Sequence, residues 1–226
     1  MDVTRLLAEM ALELEHEREP ATMLKRVSEY ARHVLEADDT GIMRVHTRQR
    51  IETPAATSER VDEAHQLQVR FDEGPCLDAI TGKATYRTDD TASDLRWPRW
   101  GPAAAELGIR SVVGVRLATR SRGYGSLNVY ADRPSAFDDG DAEIAELLAA
   151  HATAAFAAAE QSAGLRTALE SRTTIGQAQG ILMQKFDITS DAAFAFLRRI
   201  SQDENRRLAD VAEAIVVQRD ANARPH

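Results

Sequence analysis

Residues 109–131 read IRSVVGVRLATRSRGYGSLNVYA. Two runs rich in β-branched residues, Ile109–Ala118 and Gly123–Ala131, flank Ser121-Arg122-Gly123, a suitable hairpin turn. Working back from this hairpin, Ala84–Arg87 reads as a further short strand. Ile42, Met43 and Val45, followed by His46-Thr47, read as a strand that ends in the basic turn Arg48-Gln49-Arg50. Ile51–Thr57 is its candidate partner, which Pro54 confines to an edge or a short piece because proline cannot donate to a ladder.

Helical spacings lie between and before these strands. Val61, Ala64, His65, Leu67 and Gln68 follow Ser58, a suitable N-cap. Asp72-Glu73-Gly74-Pro75 is a turn, and Cys76, Leu77, Ala79 and Ile80 form a helical segment stopped by Gly82. The loop from Asp94 to Trp100 leads into an alanine-rich helix that ends at Gly108. Val3, Leu6, Leu7, Met10 and Leu14 mark a first helix, broken at Glu19-Pro20, and Met23, Val27, Tyr30, Val34 and Leu35 mark a second. Residues from about 20 to 140 therefore read as an antiparallel sheet with helices, an α+β domain.

Beyond Asp141 no convincing strand recurs. Ile144, Leu148, His151, Ala155, Ala158, Ser162, Leu165 and Leu169 fall at spacings of four and three, a heptad seam with small residues in its middle. An alanine-rich helix forms readily but makes a poor core alone. It needs a partner: the first helix, a second copy of the chain, or the chain's own sheet beneath it. The long helix is expected to run through Ile175, Ala178 and Leu182 to about Lys185. Thr189 or Ser190 caps the next helix, whose apolar face is Ala193, Phe194, Leu197 and Ile200. After a break at Asp203-Glu204-Asn205, Leu208, Val211, Ala212 and Ile215 mark a third helix, followed by a polar tail from Arg219 to His226.

The formal charge is −8, which argues against a chain that coats nucleic acid along its whole length. Residues 165–219 hold eight Arg or Lys against seven Asp or Glu, a net of +1, leaving −9 on the rest. The single cysteine, Cys76, excludes an intramolecular disulfide framework and a Cys-based zinc site, and fits a reducing compartment. The acidic N-terminus lacks the basic and apolar regions of a signal peptide, and no run of eighteen apolar residues occurs. These features lead to the expectation of a cytoplasmic protein without a membrane partner.

Residues 169–216 resemble the ANTAR family of RNA-binding antiterminator domains. Ser171-Arg172, Ile175, Ala178, Gly180, Leu182-Met183, Ala193-Phe194, Leu197, Ser201, Leu208 and Ala212 carry the resemblance. The preceding region, roughly 20–160, is similar to the GAF sensor domains that accompany ANTAR in actinobacterial regulators. There the resemblance lies in Glu73-Gly74-Pro75-Cys76, Asp94-Leu95-Arg96-Trp97-Pro98, Gly108-Ile109-Arg110-Ser111, the run from Gly125 to Tyr130, and Ala136-Phe137. The implied fold is α+β: a GAF domain with its antiparallel sheet and flanking helices over residues 1–162, including the N-terminal and connecting helices. A three-helix ANTAR domain follows at 163–226. The resemblance implies a homodimer that binds paired RNA stem-loops and prevents a terminator hairpin from forming, and the heptad seam places the joint on the N-terminal and connecting helices in a dimeric bundle. The resemblance leaves room for a small-molecule ligand of the GAF domain and implies no cofactor.

On that reading, Gly180 is the most informative position, since glycine inside a helix costs about 1 kcal/mol relative to alanine. With Ala178 it would form a shallow notch, either for RNA or for a neighbouring helix. Thr174, Gln177, Gln179, Gln184 and Lys185 can donate to phosphates or to loop bases, the part of RNA that proteins read by edge contacts and stacking. Position 179 is often basic in the family and is Gln here. Met183 suits a base, the core or a dimer seam. Arg198, Arg199, Arg206 and Arg207 suit phosphate contact, or a solvated face balanced by Asp203, Glu204 and Asp210; Arg172 and Arg166 are further cations.

In the sensor region, Cys76 is either a ligand or redox site at a helix start or a buried thiol. Trp97 and Trp100 either wall a ligand pocket or anchor a loop. His16, His33, His46, His65, His151 and His226 have no metal-ligand spacing, and no catalytic triad, phosphate loop or paired-carboxylate set stands out; the Gly123-Tyr124-Gly125 fragment lacks the third glycine of a dinucleotide fingerprint. The expectation is a regulator and not an enzyme. The rival readings are a DNA-binding regulator using the C-terminal helices and a small-molecule-binding protein or enzyme centred on the sensor domain. The third C-terminal helix, acidic or apolar apart from Arg219, suits a major groove poorly.

Overall fold

Residues 109–131 form two neighbouring strands at the heart of a five-stranded sheet. The computed structural model describes residues 3–17, 19–46, 50–82 and 84–223. Within them, β4 (Ser111–Ala118) and β5 (Gly123–Ala131) pair antiparallel, and Thr119 N donates to Arg122 O at 2.9 Å in the connecting turn. On the far side of β5 lies β1 (Asp39–Val45), then β2 (Ile51–Ala56); β3 (Tyr86–Thr88) pairs with β4. The order is β2-β1-β5-β4-β3, antiparallel throughout. Pro54 sits on an edge strand, where its missing N–H leaves no gap in the ladder. Gly125 holds φ at +156°, and a Cβ there would stand 1.8 Å from Met43 O, so only glycine lets β5 approach β1 at this point. Arg48-Gln49, in the expected turn, and His226 lie outside the described residues.

The sheet's two faces build two cores. Leu127, Val129 and Ala131 of β5 face a core shared with α1 (Val3–His16), α2 (Pro20–Val34) and the first part of α6 (Asp139–Phe186). Glu19 caps α2, accepting from Ala21 N at 3.2 Å and Thr22 N at 2.7 Å, with Pro20 in the first turn. The opposite face carries Met43, Val112 and Tyr130 beneath α3 (Glu59–Phe71), α4 (Pro75–Gly82) and α5 (Trp100–Glu106). Gly41 permits this closeness, because a Cβ there would meet Val61 Cγ1 at 2.6 Å. Ser58 precedes α3 with an extended backbone, but its side chain makes no capping bond.

The heptad seam needs correction over its first half. On α6 the buried stripe is Ala145, Leu148, Ala149, Ala152, Phe156 and Ala159, which packs on the sheet. Of the expected seam, only Leu148 is fully buried there; His151 and Ala158 are exposed. Burial of α6 against the sheet selects a stripe at i, i+3, i+4 and i+7, broader than an a/d seam. Residues 1–160 and 161–226 form two compact units, the division falling inside α6. Among the described helices, α6 alone is long and apolar enough to cross a membrane by length and composition, and 33% of its most apolar window is buried in the protein.

In the second unit, the end of α6 packs with α7 (Ser190–Asp203) and α8 (Leu208–Ala223). Their core is Ala178, Leu182, Ala193, Leu197, Val211 and Ala212. Thr189 caps α7 by accepting from Ala192 N, and Asp187 and Asn205 take left-handed conformations at the two breaks. Phe194 departs from the expected apolar face: Ala193 and Leu197 fill the core, and Phe194 stays exposed.

Candidate functional site

In the sensor unit, Cys76, Trp97 and Trp100, the candidate ligand residues, are buried in the core. Cys76 is fully buried at the start of α4. Gln68 grips it from both sides, donating from Nε2 to Sγ at 2.8 Å and accepting from Cys76 N at 2.9 Å. Burial pushes its thiol up to about 12, against the pull of the hydrogen bonds from Tyr130 and Gln68. Of the two readings open for Cys76, the structure fits the buried thiol: desolvation outweighs any pull of the helix start towards a thiolate. Trp97 donates to Asp78 Oδ2 at 2.8 Å and packs edge-on against Trp100, whose indole donates to Ala64 O at 3.1 Å. Both indoles anchor the Asp94–Trp100 loop, with Arg96 stacked over Trp97 and Arg99 bonded to Glu73.

An open groove lies elsewhere on this unit, between β2 and α3. It encloses about 360 Å³ over Met43, Ile51, Thr53, His65 and Val69. His65 is buried, and desolvation lowers its pKa to about 3, so the ring is neutral at ordinary pH. Its Nδ1 lies 3.1 Å from Thr53 Oγ1, and the Asn128 amide donates to Nε2 at 3.2 Å. Asn128 Oδ1 and Ser126 Oγ, on the same face of β5, are buried without a hydrogen-bond partner among the described residues. The spacing of residues does not mark this groove, because it forms where the edge strand β2, Met43 of β1 and α3 come together in space. Among the described residues, no three His, Cys, Asp or Glu side chains gather to hold a metal.

In the C-terminal unit, the expected RNA-facing residues separate into groups. Gly180 is exposed, and a Cβ there would meet nothing within 4 Å, as at Gly176. Packing within this unit therefore does not account for the glycine. Arg172, Gln177 and Gln184 are exposed, and Met183 is 37% exposed. Ala178 is fully buried in the three-helix core, so its expected contact with RNA is corrected: its methyl is sealed under α7 and α8. Gln179 donates to Ser190 Oγ at 3.2 Å and to Ser190 O at 3.3 Å, which ties it to the start of α7. Thr174 donates back to Glu170 O at 3.0 Å.

The two arginine pairs also divide. Arg206 bonds Glu204 at 2.8 Å and Asp210 O at 3.3 Å, and Arg199 lies 4.0 Å from Asp203. Arg172, Arg198 and Arg207 are exposed and form no ion pair with any described acid. On the exposed side of α6, Ser162, Leu165 and Leu169 continue at heptad spacing towards Gly176, Gly180 and Met183; Leu165 is 61% exposed and Leu169 65%.

One feature of this unit had no counterpart in the sequence reading. Phe186 and Phe196 stand 6.2 Å apart at the mouth of a groove of about 440 Å³ that also holds Lys185. A faint signal was present: Phe194 and Phe196, two apart on one helix, cannot share its buried face.

Comparison with known proteins gives two domain matches. A GAF domain model matches residues 17–157, and an ANTAR domain model matches residues 163–216. No curated protein matches the chain. Among solved structures, the GAF domain of a phosphoenolpyruvate-protein phosphotransferase from Coxiella burnetii is 16% identical, with a TM-score of 0.59, covering 73% of this chain and 98% of that one. The corresponding GAF domain from Acinetobacter is 16% identical, with a TM-score of 0.56 and coverages of 70% and 94%. Free methionine-R-sulfoxide reductase from Neisseria meningitidis, solved with its substrate, is 19% identical, with a TM-score of 0.54 and coverages of 71% and 91%. At such identities the likeness speaks for the fold of the sensor unit.

Proposed function

Since the chain belongs to the GAF domain family and carries an ANTAR domain behind it, we propose that it is a GAF-regulated transcription antiterminator. On this reading it binds paired stem-loops in nascent RNA and keeps a terminator hairpin from forming. GAF and ANTAR are regulatory domains, and the chain acts by binding and not by catalysis, in the cytoplasm. The observation that carries the reading is the ANTAR match over residues 163–216, where Arg172, Arg198 and Arg207 stand exposed with no ion pair to a described acid. Exposed guanidinium groups without acidic partners suit phosphates, and their affinity falls with salt.

The active species is a homodimer. The α6 stripe from Ser162 through Leu165, Leu169 and Gly176 to Met183 supports this, since two large leucines sit in water and the glycines admit a close neighbour. The N-terminal helix has a smaller part in the joint than the sequence suggested, because Met10 and Leu14 are spent in the sensor core. A small-molecule signal enters the sensor unit at the open groove beside His65, not at Cys76, Trp97 or Trp100.

The test is fluorescence anisotropy of the full chain with a paired-hairpin RNA, a single hairpin and duplex DNA, across a salt series. Tight, salt-sensitive binding that needs both hairpins is expected. Preference for duplex DNA would replace this reading with a DNA-binding one, which the single cation on the exposed face of α8, Arg219, disfavours.

A further inference from the structure

We propose that the groove between Phe186 and Phe196 receives an unstacked base of an RNA loop. This rests on the RNA-binding reading above and adds where a base is held.

The groove opens where three helices meet. Phe186 closes it from α6, Phe196 and Ile200 from α7, and Ile215 from α8. Its volume, about 440 Å³, lies in the range of small-molecule clefts, roughly 300–1,000 Å³, and the groove is open on one side. Phe186 is 52% exposed and Phe196 37%, while Leu182 beside them is buried. The rings are tilted by 45° with centres 6.2 Å apart, so they are not stacked face to face on each other. Every nucleobase has a flat face that stacks on such a ring, and this recognition needs a single-stranded loop.

Charge distinguishes a nucleic acid from an apolar protein segment as the occupant. Lys185 and Arg219 line the groove, and no carboxylate does. Lys185 Nζ lies 5.4 Å from the centre of the Phe186 ring, and neither cation pairs with a described acid. An apolar helix gains nothing from two bare cations, whereas a loop base brings its own phosphates to them. Gln218 supplies a donor and an acceptor together, as an exposed base edge requires. At 100° per residue, Lys185 lies about 140° around α6 from Gly180. A partner helix seated on the Gly176–Gly180 side therefore leaves the groove open in both copies.

The experiment uses the full chain and the paired-hairpin RNA, with 2-aminopurine placed at one loop position at a time. Binding is followed by anisotropy and stacking by the quenching of the probe. We expect quenching at one loop position. Phe196→Ala and Phe196→Leu should abolish it and weaken binding roughly 5- to 150-fold, the range for loss of one stacked base. Phe196→Leu keeps an apolar wall, so a loss there is a loss of the aromatic face, and Phe196→Tyr should restore both signals. Lys185→Ala should flatten the salt dependence. Wild-type affinity and unchanged quenching in both Phe196→Ala and Phe196→Leu would overturn the groove as the base site and leave the RNA reading standing. Failure of the unaltered chain to bind the hairpins at all would overturn the RNA reading, and this inference with it.

Discussion

Arg122 Nη1 donates to Glu160 Oε2 at 3.0 Å, fixing the last sensor-unit residue of α6 to the hairpin between β4 and β5. Arg44 of β1 takes the other carboxylate oxygen and lies 5.1 Å over the Phe156 ring. Glu160 is 19% exposed, so water screens this three-charge joint only partly. Glu160→Gln keeps the shape and removes the charge that two guanidinium groups share. A loss of about 1 kcal/mol lowers the Tm by roughly 2–4 °C in a chain of this length. Hydrogen exchange over residues 152–160 should quicken in the same variant. Unchanged exchange there would mean that the apolar stripe alone holds the helix.

His65 predicts how stability depends on pH. Its pKa is about 3 in the fold because burial opposes the charged ring, and near 6.5 once unfolded. The unfolded chain therefore gains a proton below pH 6.5 that the folded chain refuses. Stability from this residue is intact above 6.5 and falls as pH drops towards 3. Between pH 7 and pH 5 the loss is about 2 kcal/mol. Urea midpoints at the two pH values should differ by less in His65→Gln than in the unaltered chain. Equal differences would show that His65 is protonated inside the fold.

Cys76 predicts silence. With its thiol pushed up to about 12 and no exposed surface, it should react with a thiol-specific disulfide reagent only when the chain opens. One thiol should titrate at once in 6 M guanidinium and almost none in the native protein over minutes. Rapid native labelling would restore a redox role. Cys76→Ala should cost about 1–3 kcal/mol, since it strands the buried Gln68 amide.

The successes and failures of the sequence reading share one physical origin. The hairpin at 109–131 was legible because β-branched residues state their preference locally. The final three helices were legible because caps and breaks, Thr189 and Asn205 among them, are local too. The first half of α6 was misread because alanine is compatible with either side of a helix, and the sheet beneath decides which side is buried. Trp97 and Trp100 resemble a ligand wall in any sequence; only their partners, Asp78 and the Ala64 carbonyl, mark them as anchors. The grooves beside His65 and Phe186 arise from elements meeting in space, which no spacing along the chain records.

Gly180 separates stability from function. Its position in α6 is helical and open, so alanine fits without touching a neighbour. Gly180→Ala should stabilise the protein by about 1 kcal/mol, raising the Tm by roughly 2–4 °C. Gly164→Ala, also in open space on α6, is the control and should stabilise by a similar amount. If Gly180 is kept bare for close approach of RNA or of a second copy, its alanine variant gains stability and loses hairpin affinity or dimer population, while Gly164→Ala keeps both. Anisotropy reports the first loss and sedimentation velocity the second, so the pair assigns the notch to RNA or to the seam. A Gly180→Ala protein that is more stable and unaltered in both measurements would leave the glycine without a role at any interface.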